Sequence, residues 1–134
     1  MTPQVLSLDH LVLTVADLPA SIAFYRDVLG MVPEQFTPAD GTPRRALKFG
    51  GQKINLHVRG AEFEPKAAVP APGSADLCFL TDVPLNRWQA HLARYDITIE
   101  QGPVRRTGAM GPILSLYLRD PDGNLIEISN RLDG

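Results

Sequence analysis

The feature that most constrains this chain is an internal repeat. His10-Leu11-Val12-Leu13-Thr14 lies over Asp76-Leu77-Cys78-Phe79-Leu80, and Lys53-Ile54-Asn55-Leu56-His57 lies over Leu125-Ile126-Glu127-Ile128-Ser129. Between the members of each pair the same order of signals recurs. One supersecondary unit is used twice, so the fold has to be solved only once.

The unit reads as βαβββ. In the first half, segment 8–15 is rich in Leu and Val and reads as a strand. Asp17 is placed as a helix N-cap with Pro19 in the first turn. Ile22, Tyr25, Val28 and Leu29 then recur at helical spacing until Gly30 stops the helix. Segment 31–36 reads as a short strand, 37–43 as turn chemistry, and 45–49 with 53–58 as a hairpin about Gly50-Gly51.

The second half follows suit. Strand 75–81 precedes a helix opened by Pro84 and carried through Leu85, Trp88, Leu92 and Tyr95. A short strand at 97–100, a polar glycine-bearing loop at 105–112 and a strand at 113–118 come next. Asp120-Pro121-Asp122-Gly123 is a turn before the last strand, 124–129. Segment 60–74, with Pro65, Pro70 and Pro72, is expected to link module 5–59 to module 75–130. The expected architecture is one α+β domain over 1–134: two tandem βαβββ modules forming a curved mixed sheet around a central cavity.

Composition bounds the function. At 134 residues the chain is long enough for one core without disulfides, and Cys78 is its single cysteine, so a reducing, cytoplasmic setting is expected. A net charge of −2 gives no basic footprint for nucleic acid or an anionic membrane surface. No apolar run approaches the roughly 20 residues needed to span a bilayer. Curved open sheets also expose edges and an apolar rim, which points to a homodimer.

The repeat singles out His10 with Asp76, and Asn55 with Glu127, as polar residues at equivalent places in otherwise apolar strands. Polar groups there are costly unless paired, hydrogen-bonded or bound to metal. Paired modules would bring these positions together around a pseudo-twofold axis. Strand alternation puts His57 on the face of Asn55, about 6.6 Å further along. Two histidines and a carboxylate suit Zn, Ni, Fe, Mn or Co with positions open for substrate. Each residue alone is equally readable as a hydrogen-bonded structural group. Arg105 and Arg106, in the glycine-bearing loop, either meet a substrate carboxylate or phosphate or are solvated.

Segment 8–17 followed by Ser21-Ile22-Ala23-Phe24-Tyr25-Arg26-Asp27-Val28-Leu29-Gly30-Met31 resembles the vicinal-oxygen-chelate superfamily, which includes glyoxalase I, bleomycin-resistance proteins and extradiol dioxygenases. The closing Arg119-Asp120-Pro121-Asp122-Gly123-Asn124-Leu125-Ile126-Glu127-Ile128 resembles the same superfamily. Segments 54–57, 62–67, 72–78 and 102–109 carry a narrower resemblance, to the branch of glyoxalase-domain-containing protein 5 and its bacterial virulence-associated relatives.

The resemblance implies metal ligation by His10 and Glu127. It also marks two departures: Asp76 stands where a histidine ligand is usual, and Asn55 where glyoxalase I carries a glutamate. His57 is expected to compensate, giving His10, His57 and Glu127 as ligands of a divalent metal. Asp76 is then the catalytic base or a fourth ligand, with Asn55, Arg105 and Arg106 facing substrate. The implied activity is a metal-dependent lyase or isomerase that chelates a small oxygen-rich metabolite through two adjacent oxygens. The alternatives are a metal-free protein that sequesters a ligand and an extradiol-type dioxygenase.

Overall fold

The computed structural model describes residues 2–133. Backbone contacts divide the chain into two compact units, one ending at Ala71 and one beginning at Pro72. That boundary falls inside the segment expected to link the modules.

In the first unit the chain runs β1 (His10–Val15), α1 (Leu18–Ala23), β2 (Val32–Phe36), β3 (Arg44–Phe49) and β4 (Gln52–Val58). The Asp17 carboxylate accepts from the Ala20 amide at 3.1 Å and starts α1, with a proline in its first turn. A π-helical turn, Phe24–Val28, extends the helix. Gly30, at φ +73°, closes it by donating to the Arg26 carbonyl, a left-handed geometry that a side chain would oppose. The sheet order is β1-β4-β3-β2, with β1 parallel to β4 and the remaining pairs antiparallel.

The second unit runs β5 (Asp76–Leu80), α2 (Leu85–Arg94), β6 (Gln101–Gly108), β7 (Gly111–Arg119) and β8 (Leu125–Arg131). Its sheet, β5-β8-β7-β6, has the same pattern. The repeat holds to the residue. His10 pairs with Lys53 and Val12 with Asn55 in the first unit, as Asp76 pairs with Leu125 and Cys78 with Glu127 in the second.

One face of each sheet is the core. In the second unit Ile126, Ile128, Leu116 and Leu118 share a face by register and are buried, together with Leu85 and Leu92 of α2. Ile54, Leu56, Leu47, Leu13 and Val15 do the same beneath Ile22 and Tyr25. Each such side chain contributes about 1.5–3 kcal/mol through removal from water. No side chain of its own N-terminus caps α2. Asn130 of β8 does so instead, accepting from the Leu85 amide at 3.1 Å while donating to the Thr81 and Val83 carbonyls.

Two segments differ from the sequence reading. Residues 97–100 form no strand, and most of the expected loop 105–112 is strand: β6 runs to Gly108 and β7 starts at Gly111. β6 is an edge strand, and charges on an edge strand protect it from wrong pairing while hiding it from a hydrophobicity pattern. Its register shifts between Gln101 and Val104, where Gly102 at φ +113° lies against the Ser115 carbonyl with no room for a Cβ.

Candidate functional site

Glu127 sits in β8 with its side chain on the face opposite the core, directly across from Cys78 of β5 and Tyr117 of β7. Its Oε2 accepts from the Ser115 hydroxyl at 2.6 Å. Ser115 and Ser129 hydroxyls are 2.7 Å apart, and Cys78 Sγ is 3.3 Å from Ser129 Oγ. A hydroxyl has one proton to donate. Since that of Ser115 goes to Glu127, Ser115 accepts from Ser129, which in turn accepts from the Cys78 thiol. The donors run in one direction and end on the Glu127 carboxylate. Burial foremost, with the Glu127 charge adding to it, pushes the Cys78 thiol up, which keeps it the donor. Both serines are fully buried. Both serine contacts of Glu127 fall on Oε2.

This carboxylate opens on a cavity of about 860 Å³ within the second unit, shared with Cys78, Leu80, Arg106, Met110 and Tyr117. Arg106 projects from the same face of the sheet as Glu127. Arg105, the next residue on a strand, points to the other face and lies outside the cavity. Asp76 shares the face of Cys78 but is exposed and beyond the cavity lining.

In the first unit the equivalent face carries His10, Asn55 and His57. His10 Nδ1 lies 2.9 Å from Asp9 Oδ2, which orients the ring and leaves Nε2 open. Asn55 Oδ1 is buried without a partner. His57 is only 6% exposed and packs edge-on against Phe63 at 5.6 Å, and Arg44 stacks on the same Phe63 ring at 4.2 Å. His57 is opposite Thr14, four residues beyond His10. That is about 13 Å along the strands, more than two imidazoles binding one ion can span.

His10 and Glu127 each have one donor atom tied back and one open, which fits a metal ligand, and the orphaned Asn55 Oδ1 fits a neighbouring cation or donor. His57 does not fit beside His10. Within either unit, no three His, Cys, Asp or Glu among the described residues form a metal-ligating group.

His57 has a different consequence. Burial first, then the Arg44 charge, hold its pKa below the ordinary 6.5, against weaker opposing effects of Glu62 and Glu64. Below that value the unfolded chain binds a proton that the folded chain resists, so stability falls as pH drops and is restored above it. Urea unfolding between about pH 5 and 7.5 is expected to show this slope, and His57→Gln to flatten it.

Ser115, Ser129, Tyr117 and Phe63 escaped the sequence reading. The two serines carried the signal that marked Glu127, a polar residue in an apolar strand.

The family model described as Glyoxalase/Bleomycin resistance protein/Dioxygenase superfamily matches residues 7–128. Virulence protein STM3117 of Salmonella typhimurium is 56% identical over 122 residues, covering 91% of this chain and 82% of that protein. Its crystal structure superposes with a TM-score of 0.88 over 97% of this chain and all of that one, at 52% identity. Glyoxalase domain-containing protein RDO1 of Mycosarcoma maydis is 56% identical over 130 residues, 97% of this chain and 71% of that protein.

Proposed function

The chain belongs to the glyoxalase/bleomycin resistance protein/dioxygenase superfamily, and on that premise we propose that it is a metal-dependent lyase or isomerase acting on a small oxygen-rich metabolite. The observation that carries this reading is Glu127, with one oxygen clamped by buried Ser115 and the other open over the cavity. Glu127 and His10 are the proposed donors to divalent Zn, Ni, Fe, Mn or Co. Such an ion supplies Lewis acidity to two adjacent substrate oxygens.

The chain's own residues do the rest. The Ser115–Ser129–Cys78 chain holds Glu127 in one orientation. Asp76, exposed on the face of Cys78 and outside the cavity lining, is the proposed base, taking the proton from the carbon alpha to a substrate carbonyl onto its carboxylate. Asn55 offers its unpartnered Oδ1 to a substrate hydroxyl. The exposed apolar residues Val12, Val32 and Leu80 favour a homodimer as the working assembly, and the unpaired Cys78 favours the cytoplasm.

The test is elemental analysis of protein purified without tag or chelator. Near-stoichiometric metal is expected in the wild type and in His57→Ala, and its loss in His10→Ala and Glu127→Ala. Folded protein that stays metal-free after reconstitution moves the reading to ligand sequestration, which the exposed apolar wall at Leu80 and Met110 would then serve.

A further inference from the structure

Two opposite charges share the second unit's cavity without neutralising each other. Arg106 Nε donates to the Tyr117 hydroxyl at 3.0 Å, and Nη1 donates to the Arg105 carbonyl at 3.1 Å. The guanidinium also lies 5.4 Å from the centre of the Tyr117 ring. Glu127 is held separately by Ser115. Among the described residues neither Arg106 nor Glu127 forms an ion pair. Flexible side chains of opposite charge in one partly desolvated cavity would close on each other. Here each is tethered by its own neutral partners, and the Nη2 edge of Arg106 is left without a described partner.

A half-buried, oriented and unpaired guanidinium is costly unless something anionic completes it. Its planar donor fork matches a carboxylate. We propose that Arg106 is the specificity-determining residue of the site and that its ligands are small hydroxy- or keto-carboxylic acids. The ligand carboxylate meets Arg106, and its other oxygens lie toward Glu127. Tyr117 is the positioning residue, because its hydroxyl fixes the guanidinium. Neutral carbonyl compounds of the same size lack the group that Arg106 awaits. The inference rests on the function proposed above only in taking Glu127 as the carboxylate that handles the ligand oxygens.

Benzoate and benzyl alcohol differ mainly in the carboxylate, so the full-length chain is titrated with each. Amide shifts of residues 107–111 are followed by nuclear magnetic resonance. Benzoate is expected to bind about tenfold or more tighter than benzyl alcohol. Arg106→Gln is expected to erase that preference, and Arg106→Lys to restore part of it. Tyr117→Phe, which keeps the charge, is expected to weaken benzoate several-fold, and it decides the matter if Arg106→Gln does not fold. Equal binding of the two probes, a preference that survives in Arg106→Gln, or unaltered benzoate binding in Tyr117→Phe overturns the inference. Metal content measured on the same samples separates the two readings. An Arg106-dependent preference in metal-free protein supports this inference and overturns the metal, and normal metal without the preference does the reverse.

Discussion

Replacing Asn124 with alanine is expected to destabilise the chain by about 3–5 kcal/mol. Asn124 is fully buried at the end of the β7–β8 turn. Its Nδ2 donates to Asp120 Oδ2 at 2.7 Å, and its Oδ1 accepts from the Ala75 amide at 2.8 Å. Asp120, itself buried, accepts further from the Asp122 and Asn124 amides, each at 2.9 Å. Alanine would remove the acceptor of the part-buried Ala75 amide and a short donor to the buried Asp120 carboxylate. Each such loss costs about 1–3 kcal/mol. Against a total stability of about 5–15 kcal/mol, that loss is large. Urea unfolding should show a much lower midpoint with an unchanged slope. Arg119→Ala is the contrast: its pair with Glu100 is about half exposed on both sides, and its loss is expected to cost about 1 kcal/mol or less. A small shift in Asn124→Ala would mean that Ala75 and Asp120 find water instead.

The same residues explain why so much of the fold was legible. Asp120-Pro121-Asp122-Gly123-Asn124 reads as a turn because its side chains bond to their own backbone, a local property. The Asp17 cap and the Gly30 stop are local too. The equivalence of the β1–β4 and β5–β8 pairs was legible from the repeat, since equivalent residues of a repeated unit occupy equivalent places, whereas the parallel register within each pair was not. Edge strand β6 was not legible, because its Arg105-Arg106-Thr107 run satisfies the needs of an exposed edge rather than those of a core.

At the site, Glu127 and His10 stood out because a polar residue inside an apolar strand is visible in one dimension. What each one touches is not. Whether His57 faces open space depends on where Phe63 goes, and Phe63 lies in a segment with no periodicity to fix its path. The 13 Å between His10 and His57 needs the parallel register and a residue count, not the face alone. Arg105 and Arg106 were indistinguishable while their segment read as loop, and became opposites once it was strand.

Ser115→Ala is expected to weaken metal binding by about 10–100-fold, the usual effect of removing a group that orients a ligand. Of the two serines, Ser115 is the close donor to Glu127: Ser129 stands 3.5 Å away and already donates to Ser115. Without Ser115 the carboxylate regains rotational freedom, and an ion would have to order it on binding. The fold should suffer less. The lost group is a single hydroxyl, so the stability change is expected near 1 kcal/mol. Competition with a chelating dye measures the affinity, and urea unfolding of the same preparation measures the fold. A large drop in affinity beside a small drop in stability assigns Ser115 to positioning Glu127, and Ser115→Thr, which keeps the hydroxyl, should recover part of the affinity. Equal metal affinity in Ser115→Ala and wild type would mean that the serine chain serves the sheet alone and that Glu127 is held in place by something else.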